Sequence, residues 1–228
     1  MKYTLKDYDL VLKELIEELK KDGINLTKHN NDGRINSIYN EEEVIKEILR
    51  IYKNIPIFKE KALSIEKQPR PRWWYDILIK DNQNNFYCPI NIKISDFSNS
   101  ASDNISSKEG LYFSLTGTSN ETIINWSKYF QSLSENIKET NTDYFFIVFN
   151  KNDRRDIIFN SMRRLKKLTP NGNNLPFQCK WIENREIETR TFQEAKEFLI
   201  NNLYKSIKKR AQIKEEFETV FINLDEST

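Results

Sequence analysis

The chain has 228 residues and a net charge of only +2, from 36 Lys and Arg against 34 Asp and Glu. That length fits one large domain, and the balanced charge neither requires nor excludes a polyanionic partner. Two Cys and a single His, His29, argue against a disulfide framework, a His-based zinc site and a Ser-His-Asp enzyme. Because the sequence has no run of about 18 apolar residues and no apolar signal core at its start, we expect no membrane span and a cytoplasmic location.

Two amphipathic helices are expected in the N-terminal part of the chain, about residues 1–60. Apolar side chains recur at helical spacing over residues 4–21, and a following Asp-Gly pair ends that pattern. The second helix should begin near Asn40, because Asn is a good N-cap and three Glu follow it where the helix dipole favours anions. Its apolar stripe comprises Val44, Ile45, Ile48, Leu49 and Tyr52.

The middle of the chain is rich in residues that favour strands. Two such runs, separated by the polar segment 81–85, predict a hairpin over about residues 73–95. A loop rich in Ser, Asn and Asp follows over residues 95–110. We then expect a helix over residues 121–138 and a strand over residues 143–149, whose continuous apolar run indicates burial on both faces.

The C-terminal third alternates between polar and apolar segments. A basic segment over residues 153–168 precedes a loop at about 169–176 and a strand at 177–183. A long helix is expected from Phe192 to about Lys214, within a C-terminal helical part at about 190–228. Since no repeat or linker interrupts the sequence, we predict a single α/β domain over residues 1–228.

The predicted hairpin carries the residues that point to chemistry. Asp76 begins its first strand, while Asn91 and Lys93 share one face of the second strand because side chains alternate. A register that places Asp76 beside Asn91 would gather the three polar groups on one surface. Mg²⁺ prefers hard oxygen ligands such as the Asp76 carboxylate, the Asn91 amide oxygen and the Ile92 carbonyl, and Lys93 can stabilise charge on a phosphate. Spacing alone leaves open an ordinary half-exposed hairpin with a polar outer face.

The segments around the hairpin have a recognisable order. Residues 66–76 read Glu-Lys-Gln-Pro-Arg-Pro-Arg-Trp-Trp-Tyr-Asp, and residues 89–95 read Pro-Ile-Asn-Ile-Lys-Ile-Ser. A Gln-containing loop that leads into an acidic strand, with Lys on the next strand, resembles the PD-(D/E)xK nucleases and more closely the EcoRV-like type II restriction endonucleases. The resemblance implies an α/β fold with a PD-(D/E)xK restriction-endonuclease-like core, in which helices flank a central mixed β-sheet.

The resemblance continues in order through about residues 33–180. Residues 33–35 and the helix after them are similar to the family's dimerising helix. Residues 113–119 look like its Thr/Gly segment after the active strand, and residues 170–174 look like its recognition loop. The shared order of these segments is more specific than any one of them.

Two positions depart from the family pattern. Asn91 stands where the middle acid is expected, which removes one charge from the metal site but does not forbid catalysis, since some type II enzymes also have Asn there. The helix glutamate of the family's active site falls near Arg50 in this sequence, so Glu47, or Glu43 one turn earlier, would have to replace it. The simpler alternative for both glutamates is a solvated helix face.

Several segments are candidates for DNA contact. Asn and Gln side chains make bidentate hydrogen bonds to adenine, a glycine permits close approach to bases, and basic residues hold phosphates. A plain turn remains the alternative for the Asn-rich loop, because the chain contains 26 Asn. The DNA-binding candidates are Gln68, Arg70, Arg72, Thr116, Thr118, Ser119, Lys166, Lys167, Asn171, Gly172, Asn173 and Asn174.

These features together predict a type II restriction endonuclease of a restriction–modification system, and the resemblance implies a bacterial cytoplasmic location. It would use Mg²⁺ to hydrolyse phosphodiester bonds in double-stranded DNA at a palindromic, A·T-rich site, and it would be a homodimer because one active site per chain must cut two strands. The alternatives are a PD-(D/E)xK nuclease of repair or of a mobile element, and a DNA-binding protein without catalysis.

Overall fold

The computed structural model describes residues 3–24, 33–98, 102–105, 107–120 and 125–221. The helices are α1 Leu5–Asp22, α2 Gly33–Ile51, α3 Pro56–Glu60, α4 Lys108–Thr116, α5 Trp126–Asn136 and α6 Phe192–Phe221. The strands are β1 Ser64–Lys67, β2 Ile77–Lys80, β3 Tyr87–Ser95, β4 Asp103–Ile105, β5 Phe145–Asn150, β6 Ile157–Ser161, β7 Thr169–Pro170 and β8 Phe177–Cys179.

A mixed five-stranded sheet in the order β1-β2-β3-β5-β6 forms the centre of the fold. Strands β2 and β3 are the predicted hairpin and pair antiparallel, with Ile77 opposite Ile90. Strand β5 pairs parallel to β3, and the two edge strands pair antiparallel to their neighbours. The expected α/β class, with helices flanking a central mixed sheet, is confirmed.

The central sheet separates two apolar cores. On one side, α1, α2 and α3 pack against side chains such as Ile92 and Ile147. On the other side, α4, α5 and α6 pack against side chains such as Val148. Because side chains alternate along β3, Asn91 and Lys93 point to this second side. The polar residues of the hairpin therefore share a face with α4 rather than with α2.

A second, three-stranded antiparallel sheet in the order β4-β8-β7 lies beside the second core. Its inner face contributes the buried side chains of Ile105, Phe177 and Cys179. Its outer face carries Asn104 opposite Gln178. This small sheet thus has one apolar face and one polar face, as an antiparallel sheet that covers a core on one side should.

Several predicted elements are present with small shifts. The first helix, the hairpin, the strand at 143–149 and the long C-terminal helix are confirmed. The second helix begins at Gly33 rather than near Asn40. An Asn before three Glu is a cap signal only where the preceding residues leave the helix, and residues 33–39 are helical.

Other expected boundaries were wrong. The loop expected over 95–110 contains β4 and the start of α4, and the expected strand 177–183 ends at Cys179. The basic segment 153–168 contains strand β6, and the helix expected over 121–138 is described from Trp126 onward. Positions 25–32 and 121–124, which include part of two predicted segments, lie outside the described residues. Across the described ranges, every helix is too short or too polar to cross a bilayer.

Candidate active site

Asp76 lies at the point where the two strands of the hairpin separate. Its N–H donates to the Ile90 carbonyl (2.9 Å), and its own carbonyl accepts from the Gln68 N–H (2.9 Å). The side chain then turns toward β3, where Oδ2 accepts from the Asn91 Nδ2 (2.9 Å) and from the Ile92 N–H (2.7 Å). The predicted register, with Asp76 beside Asn91, is therefore present.

The same hydrogen bonds keep three possible metal-ligand oxygens on neighbouring residues. The Asn91 amide group donates a hydrogen bond to Asp76 through Nδ2, so the Asn91 Oδ1 remains for another ligand. The N–H and C=O of one strand residue point to the same edge, so the Ile92 carbonyl faces the gap that opens beyond β2. One carboxylate, one amide oxygen and one backbone carbonyl fit a hard cation such as Mg²⁺. In the ranges that the structure covers, no three Asp, Glu, His or Cys side chains form a metal-binding group.

Lys93 reaches the same surface two residues further along β3. It lines a cleft of about 360 Å³ together with Asn91. The side chains of both residues are half-buried, so they can contact a ligand that enters from solvent. The other residues that line the cleft are Arg70, Arg72, Trp73, Trp74, Asn104, Ile105, Ser107, Glu109, Tyr144 and Phe146.

Burial gives the cleft its electrostatic character. Desolvation raises the pKa of the Asp76 carboxyl, although the hydrogen bond from Ile92 and the charge of Lys93 oppose that shift. Burial also raises the pKa of the Tyr144 hydroxyl, which donates to the Trp74 carbonyl (2.6 Å). The charge of Asp76, and more weakly that of Glu109, adds to this rise in the Tyr144 pKa.

The mouth of the cleft is basic and well supported. Arg70 and Arg72 line it, as the predicted role in DNA contact requires. The Arg70 guanidinium lies 4.9 Å from the centre of the Trp73 ring, and the Gln68 side chain accepts the Trp73 N–H (3.2 Å). Arg72 has a φ of 62°, a left-handed conformation that is uncommon for a residue other than glycine. Gln68 thus has a local structural role in holding this loop.

Glu109 is a cleft carboxylate that the sequence reasoning missed. It lies in the first turn of α4, two residues after the N-cap residue Ser107. The Ser107 hydroxyl accepts a hydrogen bond from the Gly110 N–H (2.9 Å). The Ser-x-x-Gly start of this helix was hidden in a segment that read as a polar loop. An acidic residue in a first helical turn after a Ser was the available signal.

Glu47 lies elsewhere. Both of its carboxylate oxygens accept from Arg50 (2.6 and 2.8 Å), and this pair lowers the Glu47 pKa. Its helix, α2, packs against the opposite side of the sheet from Asn91. Among the described residues, those that line the cleft include neither Glu47 nor Glu43. The structure therefore does not bring the expected helix glutamate to Asp76.

The predicted Thr/Gly segment is the end of a helix. Thr116 is fully buried in α4, and its hydroxyl donates to the Tyr112 carbonyl (2.9 Å). Its hydroxyl therefore cannot meet DNA in this conformation, which corrects that assignment. Thr118 and Ser119 follow the helix and are exposed.

The predicted phosphate contacts Lys166 and Lys167 are also exposed, and Lys167 pairs with Glu183 (2.7 Å).

The predicted recognition loop is folded against α6. The Asn171 Oδ1 accepts the N–H groups of Asn173 (3.0 Å) and Asn174 (3.3 Å), so this side chain shapes the turn. Gly172 is buried, and a Cβ there would lie 2.9 Å from the backbone nitrogen of Arg210. The glycine thus permits close approach to α6 and not, as expected, to bases. The exposed side chains of the loop are those of Asn173 and Asn174.

The loop also connects to the cleft through the small sheet. Asn104 lines the cleft, and its Oδ1 accepts from the Nε2 of Gln178 (2.8 Å) and from the Nδ2 of Asn171 (3.4 Å). Asn104 and Gln178 were not among the predicted site residues. Their positions depend on the pairing of two strands 74 residues apart, which no local pattern indicates.

The sequence matches no protein-family model, and no curated protein is significantly similar to it. The chemistry of the cleft is therefore the basis for a functional interpretation.

Proposed function

We propose that the protein is a type II restriction endonuclease with a PD-(D/E)xK core, which hydrolyses double-stranded DNA with Mg²⁺. One observation carries the proposal: Asn91 and Lys93 line one cleft whose mouth carries Arg70 and Arg72, and the Asp76 carboxylate accepts a hydrogen bond from Asn91. Cleavage of a phosphodiester can use a carboxylate, an amide oxygen and a lysine in this arrangement. The basic residues at the entrance would attract the DNA backbone.

Each residue has a distinct task in this proposal. The Asp76 carboxylate, the Asn91 amide oxygen and the Ile92 carbonyl would hold Mg²⁺. When bound, the metal supplies polarisation of the phosphate and a lower pKa for a bound water. The Lys93 ammonium lies beside these donors, where it can stabilise the negative charge that builds on the phosphate oxygens. The attacking water would form a bond to phosphorus and release a proton to solvent, one P–O ester bond would break, and the leaving oxygen would take up a proton from solvent.

A double-stranded, palindromic target and a homodimer belong to the same proposal. One cleft per chain cuts one strand, so a second copy related by two-fold symmetry is needed for the other strand. The apolar stripe of α2 is used within the chain, against the central sheet. By contrast, the last turns of α6 expose Ile213, Phe217, Val220 and Phe221. We assign the contact between the two copies to this end of α6.

One alternative has an observation in its favour. Asp76 is the only carboxylate that the described part of the chain places in hydrogen-bond contact with the proposed metal donors. A metal site with one fewer negative charge binds Mg²⁺ more weakly, as a protein that binds DNA without cutting it would tolerate. The two alternatives differ in a measurable way, because only the nuclease produces new DNA ends.

The test is digestion of a long, sequenced DNA with Mg²⁺, followed by sequencing of the ends. We expect cuts at one palindromic sequence by the wild type. Asp76→Ala and Lys93→Ala should lose at least about 100-fold in rate, since removal of one charge-stabilising group costs about 10²–10³. Asn91→Ala should need more Mg²⁺ for the same rate, since it loses one ligand.

The matched control is Lys80→Ala, which removes a half-buried lysine from the neighbouring strand β2 that pairs with Glu66 on the edge strand (3.0 Å). It should cut at the wild-type rate. Near wild-type cleavage by Asp76→Ala or Lys93→Ala would show that the active site is elsewhere. A wild type that binds DNA in Ca²⁺ but makes no ends in Mg²⁺ would support the binding protein instead.

A further inference from the structure

The outer face of the small sheet is an unusual surface beside the cleft. Strands β4 and β8 form an antiparallel pair whose inner side chains, including Ile105 and Phe177, are buried in the core. The outer side chains at the centre of this pair are two amides, Asn104 and Gln178, which lie opposite each other. Since Asn104 also lines the cleft, this face is continuous with the proposed active site.

Hydrogen bonds fix the orientation of the two amides. The Asn104 Oδ1 accepts from Gln178 and from Asn171, so the Asn104 amide nitrogen is directed away from both donors. Gln178 gives one N–H to Asn104 (2.8 Å). Its second N–H and its Oε1 form no hydrogen bond with any residue that the structure describes. One donor and one acceptor on the same amide are therefore presented together at the surface.

We propose that Gln178 is a specificity-determining residue that reads adenine in the major groove, and that Asn104 holds it in position. The inference rests on the proposed function for its DNA partner and deepens it by naming the base. Adenine offers N7 as an acceptor and its N6 amino group as a donor, and a Gln or Asn amide complements both at once. Gln178 lies on β8, the middle strand of the small sheet, between Asn104 of β4 and Thr169 of β7.

The hydrogen bond between Asn104 and Gln178 holds the Gln178 amide in one orientation before DNA binds, which lowers the entropy cost of binding. An unrestrained Gln side chain loses rotamer freedom when it binds, and an amide can present either edge to a base. The bond to Asn104 selects one orientation before DNA arrives. Guanine offers acceptors at both N7 and O6, so the Gln178 oxygen would face another oxygen there. The arrangement therefore favours adenine and disfavours guanine, in keeping with an A·T-rich site.

The experiment measures binding, so that it does not depend on cleavage. Duplexes that bind the wild type are first selected in Ca²⁺ from a library with a randomised centre. The adenines of the selected duplex are then replaced singly by 7-deazaadenine, which lacks the N7 acceptor. We expect one position in each half-site where this change weakens wild-type binding by roughly 5- to 150-fold, the range for one bidentate contact.

The Gln178→Ala variant should bind the unmodified duplex more weakly than the wild type does. Its affinity should differ by only about 1-fold between the unmodified duplex and the duplex with 7-deazaadenine at that position; this ratio of affinities is the 7-deazaadenine penalty. Gln178→Glu keeps the shape of the side chain but only accepts hydrogen bonds, so it should move the preference at that position from adenine toward cytosine. This second variant carries the test if Gln178→Ala does not fold. Asn104→Ala should reduce the penalty partly, because it frees the Gln178 orientation.

Gln131→Ala is the matched control, since Gln131 is an exposed amide on α5 that pairs with Glu135 (3.0 Å). It should leave the penalty unchanged. A full 7-deazaadenine penalty in Gln178→Ala, or a wild type that selects no adenine, would overturn the inference. Failure of the proposed function has a different signature, which is sequence-selective binding in Ca²⁺ without any cleavage in Mg²⁺.

Discussion

The Asp76 carboxylate has a structural task as well as its proposed catalytic one. It accepts the Ile92 N–H just beyond the pair formed by Ile90 and Ile77, the first residue of β2, where β2 no longer pairs with β3. That bond satisfies a backbone donor that would otherwise be unpaired. The same position desolvates the carboxylate and raises its pKa. The side chain therefore pairs a backbone N–H of β3, but its desolvated charge lowers the stability of the fold. A cation bound to the carboxylate would offset that loss.

This cost predicts a pH-dependent stability. Because the folded-state pKa of Asp76 is raised above the ordinary 3.8, the folded state binds its proton more tightly than the unfolded state does. Ionisation therefore destabilises the fold as the pH rises from about 3.8 through the raised pKa, and the penalty is complete above it. Asp76→Asn keeps an oxygen for the Ile92 N–H and removes the charge.

We expect Asp76→Asn to melt at a higher temperature than the wild type at pH 8 without metal. The gain should be roughly 2–4 °C for each kcal/mol of penalty removed, and it should shrink as the pH falls toward 4. Thermal unfolding followed by circular dichroism at several pH values measures this. Glu135→Gln, a carboxyl-to-amide change on the exposed face of α5, is the control. A lower melting temperature for Asp76→Asn at pH 8 would contradict the desolvation argument.

Local patterns predicted the residues that local geometry brings together. Asp76, Asn91 and Lys93 meet because a hairpin has a short loop and strands alternate their side chains, and both features are legible in the sequence. Glu109 and Gln178 escaped prediction for the opposite reason. Their places depend on a helix start hidden in a polar segment and on a strand pair distant in sequence.

At the scale of elements, helix α6 is the support for the Asn-rich loop. The Arg210 guanidinium donates to the carbonyls of Gly172 (2.7 Å) and Asn173 (2.9 Å), and the Ser206 hydroxyl accepts the Asn171 N–H (3.0 Å). These bonds hold the loop backbone, while the side chains of Asn173 and Asn174 stay exposed. A loop with a fixed backbone and free amides suits reading of bases with little loss of entropy on binding.

Gly172→Ala tests this support. The new Cβ would lie 2.9 Å from the Arg210 nitrogen and 3.0 Å from the Lys209 carbonyl carbon, which are backbone atoms that cannot rotate aside. The loop must move off α6, so we expect a loss of about 1–3 kcal/mol, typical of overpacking. Urea unfolding measures the loss, with Asn174→Ala as a control that keeps the backbone contacts. Unchanged stability in Gly172→Ala would show that the loop is not held in this way.

The limits of sequence reading at this scale are physical. Helix α6 and strand β5 were predicted because long apolar patterns mark them. Strand β6 was hidden in a segment described only as basic, and two of the arginines that follow the strand are buried within the chain. Arg164, next to β6, pairs through two hydrogen bonds with Asp9 of α1 (2.7 and 2.8 Å). Nothing local to a basic segment reveals a carboxylate 155 residues away.

For the whole molecule, small net charge and a localised basic entrance go together. With a net charge of +2, attraction to DNA depends on the charges around the cleft, such as Arg70, Arg72 and Lys93. Non-specific affinity, which comes mainly from phosphate contacts, should therefore be limited. The central sheet supplies the proposed catalytic groups, and the small sheet and the loop supply the amides.

The end of α6 shows how a second copy would fit. The face of α6 that packs on the chain includes Leu199 and Ser206, and at spacings of three and four it continues as Ile213, Phe217 and Val220, which are 50%, 58% and 57% exposed. The helix is basic before this stripe and acidic within it. Two copies in antiparallel orientation would bring opposite charges together, as an isologous contact requires self-complementarity. The basic residues before the stripe are Lys205, Lys208, Lys209 and Arg210, and the acidic ones are Glu215, Glu216 and Glu218. Of these, Arg210 is bonded to the Asn-rich loop and Glu218 pairs with Lys214 (3.1 Å).

We therefore expect the wild type to sediment as a dimer at micromolar concentration and Phe217→Asp to sediment as a monomer. A charge at the centre of an apolar contact costs several kcal/mol of association when it has no partner. Because Phe217 is exposed within one chain, the variant should keep the fold of its monomer, with its circular dichroism spectrum unchanged. Lys46→Asp, on the exposed face of α2, is the control and should remain a dimer. If Lys46→Asp dissociates while Phe217→Asp does not, the contact lies on α2, as the family resemblance first suggested. A wild type that is monomeric both free and on DNA would contradict the dimer itself.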